Sequence, residues 1–188
     1  MDDVKTVVVE EGITSLTSHF LMGCTNVTSV SLPSTLQTIG TNTFDGCTNL
    51  STIEIPEGVT EIALCAFQNC TSLTSVSLPS TLLSIGNYAF NDCHALGSIT
   101  IPSGVITIGD YAFSNCHALG RIVIPDGVTT IGNSAFRDCR SMRSIDIPNS
   151  VTTIGGSAFM GTGLTGITIP DSVTTLSGDS HLRNCPDL

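Results

Sequence analysis

The sequence predicts an α/β repeat solenoid: a right-handed coil with one parallel sheet on its concave face and short helical or 3-10 turns. Three observations carry this. Cys24, Cys47, Cys70, Cys93, Cys116 and Cys139 stand 23 residues apart, and Cys185 follows after twice that step, with Thr162 in the skipped slot. Phe44, Phe67, Phe90, Phe113, Phe136 and Phe159 keep the same step, as do Pro33 through Pro148. Pro170 comes one residue early, which places a deletion near Gly163 and a compensating insertion near Gly178. A fixed period of this size marks a solenoid and falls in the leucine-rich-repeat range. About eight such units fill the 188 residues, so residues 1–188 read as a single repeat domain.

Leu50 through Ser72 shows what each position does. Ile53 and Ile55 alternate with Thr52 and Glu54, as a half-buried strand requires. Pro56 lacks an N–H and ends the ladder. Val59 and Ile62 return apolar groups to the coil from a second extended or turn segment. Gly40, Gly86, Gly109, Gly132 and Gly155 are expected to bend the chain with positive φ. Ala-Phe pairs such as Ala89-Phe90 then begin a short helical or 3-10 turn, with Phe inside.

Sixteen acidic against 6 basic residues give a net charge of −10, which excludes generic phosphate binding and hence nucleic acid. No apolar run approaches the ~18–20 residues that span a bilayer, so no membrane insertion is expected. The start, Met1-Asp2-Asp3, lacks signal-peptide order.

The motifs I-x-I-P, V-T-x-I-G and A-F-x-x-C, over about residues 4–188, resemble the BspA-like class of leucine-rich repeats. The resemblance implies an extracellular or cell-surface module that binds host or matrix proteins. The residues themselves leave a cytoplasmic scaffold or assembly element open as the alternative.

The cysteine column reads as a buried thiol ladder in a small apolar slot. Disulfides between coils are the alternative, although stacked Cβ atoms lie wider than the ~3.8 Å a disulfide needs. A row of sulfurs does not converge as zinc ligands must. Cys65 stands outside this column, as an accessible thiol. His94 and His117 follow Cys93 and Cys116, with Arg140 next, and read as a solvated loop column. No catalytic residue, metal site or cofactor is assigned, and an enzyme is not supported. The sequons at Asn26, Asn49 and Asn69 are as frequent as chance allows in so Ser/Thr-rich a chain.

Binding is expected on the outward residues of the concave strand. One column reads Thr6, Ser29, Thr52, Ser75, Ser98, Arg121, Ser144, Gly166; the other reads Val8, Ser31, Glu54, Ser77, Thr100, Val123, Asp146, Thr168. Arg121, Val123 and Asp146 depart from the hydroxyl background and are the preferred site. Tyr88 and Tyr111 are flank candidates, as anchors or as covers over the turn. Arg137, Arg140 and Arg143 form a cationic flank that either docks an acidic partner or pairs with Asp126, Asp138 and Asp146. The partner expected is a protein or glycan. The two ends show no polar cap, which points to a segment of a longer array or to end-to-end self-association.

Overall fold

The structure, a computed structural model, describes residues 3–188 as a parallel β-solenoid. Each coil contributes two extended segments. The longer ones are β1 (Thr6–Val8), β3 (Ser29–Ser31), β5 (Thr52–Glu54), β7 (Ser75–Ser77), β9 (Ser98–Thr100) and β11 (Arg121–Val123). The shorter ones are β2 (Ser15–Leu16), β4 (Thr38–Ile39), β6 (Glu61–Ile62), β8 (Ser84–Ile85), β10 (Thr107–Ile108), β12 (Thr130–Ile131), β13 (Thr153–Ile154) and β14 (Thr175–Leu176). About seven turns therefore separate β2 from β14. Pairing is parallel and keeps the repeat step, as in Thr6↔Ser29 and Thr107↔Thr130. At β13 and β14 the register shortens to Thr153↔Thr175, the expected one-residue deletion. Leu164 then fills the buried slot that Met142 fills one coil earlier. By Cys185 the step is restored, since its Sγ lies 3.4 Å from Oγ1 of Thr162.

One expectation about the sheets is corrected. Instead of one sheet there are two strand rows. The shorter row is a continuous six-stranded sheet from β6 to β14, whereas the longer row is bonded in pairs, β1–β3, β5–β7 and β9–β11. Ladder bonding is therefore continuous only along the shorter row, and it does not single out the longer row as the inner, concave side.

The helical turns, and with them the α/β class, are also overturned: among the described residues there is no helix. The reason lies in two left-handed residues per turn. Tyr88 (φ 56) and Asp92 (φ 61) flank the Ala-Phe pair of one coil, and Tyr111 (φ 56) and Asn115 (φ 60) that of the next. A right-handed helix cannot pass through such residues. Amide groups instead alternate in direction. Tyr88, Phe90 and Asp92 donate to Asp110, Ala112 and Ser114 of the next coil at 2.8–2.9 Å, while Asn91 and Cys93 donate to Tyr88 and Phe90 within their own coil. The turn is thus a third inter-coil ladder.

The glycines of the V-T-x-I-G motif serve a different purpose from the one expected. Gly40, Gly86, Gly109, Gly132 and Gly155 are not in the positive-φ region. They are close-approach positions: a Cβ on Gly155 would lie 2.3 Å from the Asn133 nitrogen and 2.5 Å from the Gly132 carbonyl carbon.

Inside, Phe44, Phe67, Phe90, Phe113, Phe136 and Phe159 stack with successive centroids 5.0–5.9 Å apart. The cysteine column is a buried thiol ladder, as expected. Each Sγ donates to a carbonyl of the preceding coil, Cys93 to Phe67 at 3.1 Å and Cys116 to Phe90 at 3.2 Å. Burial pushes the Cys47 thiol up to about 12 and raises Cys70, Cys93, Cys116 and Cys139 as well. Cys47, Cys65, Cys70, Cys93, Cys116, Cys139 and Cys185 form no disulfide.

On the surface, Glu57 accepts the Ser80 amide and hydroxyl, both at 3.0 Å, and Glu11 holds Ser34 in the same way. These amide bonds, followed by the hydroxyls, lower both carboxyl pKa values.

Three outcomes follow from this packing. Gly155→Ala overpacks the coil junction and lowers stability by about 1–3 kcal/mol in chemical denaturation. At pH 8 a thiol reagent leaves Cys47, Cys70, Cys93, Cys116 and Cys139 unlabelled until denaturant is added; labelling of native protein at these positions refutes the buried ladder. Because the folded pKa of Glu57 is lowered, its contribution is complete above the ordinary value of ~4.3 and disappears as pH falls through the folded value. The melting-temperature difference between wild type and Glu57→Gln is therefore present at pH 7 and closes in strong acid.

Candidate binding surfaces

The outward columns of the longer row are exposed over their whole length, from Thr6 and Val8 to Gly166 and Thr168. Alternation achieves this, since Ile53, Val76, Ile99, Ile122 and Ile145 point inward and are buried. The face presents small hydroxyls at Thr52, Ser75, Ser77, Ser98, Thr100 and Ser144, with Glu54 toward one end. Arg121, Val123 and Asp146 are brought together on it. Arg121 pairs with Ser98 in the β11–β9 ladder, and Val123 beside it is 57% exposed. Among the described residues, neither Arg121 nor Asp146 has an ion-pair partner.

Shallow clefts lie on this side where neighbouring coils are not joined by a ladder. One lies between β3 and β5, another between β7 and β9. A third is bounded by residues 144–149 and 166–171. There the chain is extended but makes no ladder. Among the described residues, no main-chain hydrogen bond reaches Ser144, Ile145, Asp146 or Ile147, nor Ile167, Thr168 or Ile169. Asp171 and Asn149 at its rim were not among the sequence candidates. Their only sequence signal was the early Pro170, which marks an altered junction.

On the flank, Tyr88 and Tyr111 stack with centroids 4.7 Å apart at 4°, and both are half-buried. Burial, followed by the Tyr111 and Asp110 charges, raises the Tyr88 pKa. With ring facing ring, the pair covers the turn and shows mainly its edges outward. His94 and His117 stack in the same way at 4.7 Å, and Nε2 of His94 lies 3.4 Å from Asp92. Burial, then His94 and Arg140, lower the His117 pKa. No group of three or more metal-ligating side chains occurs among the described residues.

The arginine flank is paired from within, by one of the three expected aspartates and one that was not expected. Asp138 serves both Arg137, at 3.3 Å, and Arg140, at 3.7 Å. Arg143 bonds Asp187 and, at 3.3 Å, the Gly163 carbonyl. Asp126 and Asp146 take no part in these pairs. Two sequon amides are also engaged, Asn49 with the Thr25 carbonyl at 2.7 Å and Asn69 with Asp45 at 3.0 Å. Among the described residues, no helix is long and apolar enough to cross a membrane.

Comparison with known proteins agrees with this architecture. No curated protein matches the chain. A leucine-rich repeat protein from Bacteroides ovatus superposes with a TM-score of 0.78 and 29% identity over 98% of the chain, which spans 62% of that protein. The T. pallidum leucine-rich repeat protein gives 0.73 and 33% over 80% of the chain and 72% of its own length. A leucine-rich repeat protein from Eubacterium ventriosum shares the fold, with a TM-score of 0.79 at 23% identity over 89% of the chain and 45% of its own. The family model for a BspA type leucine-rich repeat region matches residues 1–91 and 60–188 in 6 copies. The chain therefore belongs to the BspA-type leucine-rich repeat family.

Proposed function

We propose that this chain is a non-enzymatic binding module that works at a bacterial cell surface, where it adheres to a protein or glycan through the longer strand row. The family is a protein-interaction repeat type, and the surface location is supported by the typical place of BspA-type leucine-rich repeat proteins at bacterial surfaces. The single observation that carries the site is the contrast within one exposed face. Most of it is small hydroxyls, whereas Arg121 and Asp146 are opposite charges without partners among the described residues, flanking the exposed Val123. Unpaired charges on a rigid sheet lose little order on binding and select for a partner of complementary pattern. The arginine flank is a weaker candidate because all three arginines already have an aspartate partner, Asp138 or Asp187. One continuous core supports reading the whole chain as a single domain. An intracellular scaffold is the second reading, and the thiols that form no disulfide favour it.

A binding screen against matrix proteins and glycans tests the surface reading. Arg121→Ala and Asp146→Ala are each expected to weaken the recovered partner about tenfold, while Arg140→Ala changes affinity less than about twofold. Unchanged binding in both face variants removes the site.

A further inference from the structure

The cleft between residues 144–149 and 166–171 shares an apolar floor with the other clefts of the longer row but differs from them in its main-chain bonding and in the state of its rim carboxylates. Its walls carry free main-chain groups, since 144–147 is bonded neither to β11 before it nor to 166–169 after it. Its floor is apolar: Ile145 is buried, Ile147 and Ile167 are half-buried, and Ile169 is 37% exposed. Its rim is anionic, with Asp146 and Asp171 both exposed and, among the described residues, without hydrogen-bonded or ion-pair partners.

The Asp171 position shows how unusual this is. The same column in earlier coils holds Glu11 and Glu57, whose carboxylates are occupied by the amide and hydroxyl of Ser34 and Ser80. Where the column reads Asp126, Asn149 and Asp171, no such bond forms among the described residues. The nearby cations do not neutralise the rim. Arg143 is held by Asp187, and Arg121 stands on β11, across segment 144–147 from the cleft.

We propose that this cleft receives an extended polypeptide segment bearing lysine or arginine, supplied by a partner protein. The inference rests on the binding role proposed above and specifies its chemistry. An extended chain satisfies the open N–H and C=O groups, as when a strand is added to a sheet. The aliphatic stem of the basic side chain covers the isoleucine floor, while its head meets Asp146 and Asp171. A chain of net charge −10 attracts such a segment over distance as well.

The test is an NMR titration of amide signals with an acetylated, amidated nonapeptide alternating valine and lysine, at low salt. Shifts are expected at 145–147 and 167–169, with affinity weakened about tenfold in Asp171→Asn and further by added salt. The same peptide with glutamate for lysine, or with alternate amides N-methylated, is expected not to bind. Shifts elsewhere, no binding, or equal affinity in Asp171→Asn overturn the proposal. So does binding of a neutral oligosaccharide at these amides in place of the peptide. A screened partner that is lost with Arg121→Ala, yet is indifferent to Asp171→Asn and to excess lysine peptide, keeps the recognition face and removes the cleft. Lysine-peptide binding without any Arg121-dependent partner keeps the cleft and removes the face.

Discussion

Hydrogen bonds between coils recur at one repeat length, and almost everything else in the molecule is subordinate to them. In each turn the amides alternate between the coil's own carbonyls and those of the next coil. That alternation requires left-handed residues at two fixed places, and it brings neighbouring backbones so close that one column favours glycine, as at Gly86, Gly109, Gly132 and Gly155. It also aligns each Phe over the last and leaves a carbonyl facing each buried thiol. An apolar core of this kind is not assembled from distant parts of the chain. Each coil needs only its neighbours, as stability in solenoids generally does.

Much of this was legible in the sequence, because the period, the inward isoleucines, the Phe column and the deletion before Pro170 are local patterns. The turn was not. Its left-handed positions hold glycine only in part, at Gly23, Gly46 and Gly161, and otherwise Tyr, Asn, Asp, Ser, His19 and even Cys65, so the usual marker of that conformation is missing from most of them. Meanwhile the conserved-looking glycine column suggested a bend, when its actual constraint comes from the coil above and is invisible along a single chain. The division of the longer row into bonded pairs was hidden for the same reason, since it depends on spacing between coils whose sequences look alike.

The candidate site shows the same limit. Arg121, Val123 and Asp146 stood out because they interrupt a column of small hydroxyls, and column reading finds such interruptions. Asp171 did not stand out, because an acidic residue is ordinary at its position. What sets it apart is that Ser80 of the following coil donates to Glu57, whereas none of the described residues donates to Asp171. Conversely, the arginine flank looked prominent by count. Its partner Asp187, 44 residues beyond Arg143, was found only in three dimensions.

The single-file construction also bears on mechanical load. Inter-coil bonds run along the solenoid axis, so tension applied between the two ends loads the junctions in series rather than together. The weakest junction yields first, and its neighbours keep their own main-chain bonds because none of these spans more than adjacent coils. Each released coil adds 23 residues, roughly 80 Å of extended chain, to the length of the molecule. A rod built this way lengthens in steps under traction and sheds force at each one.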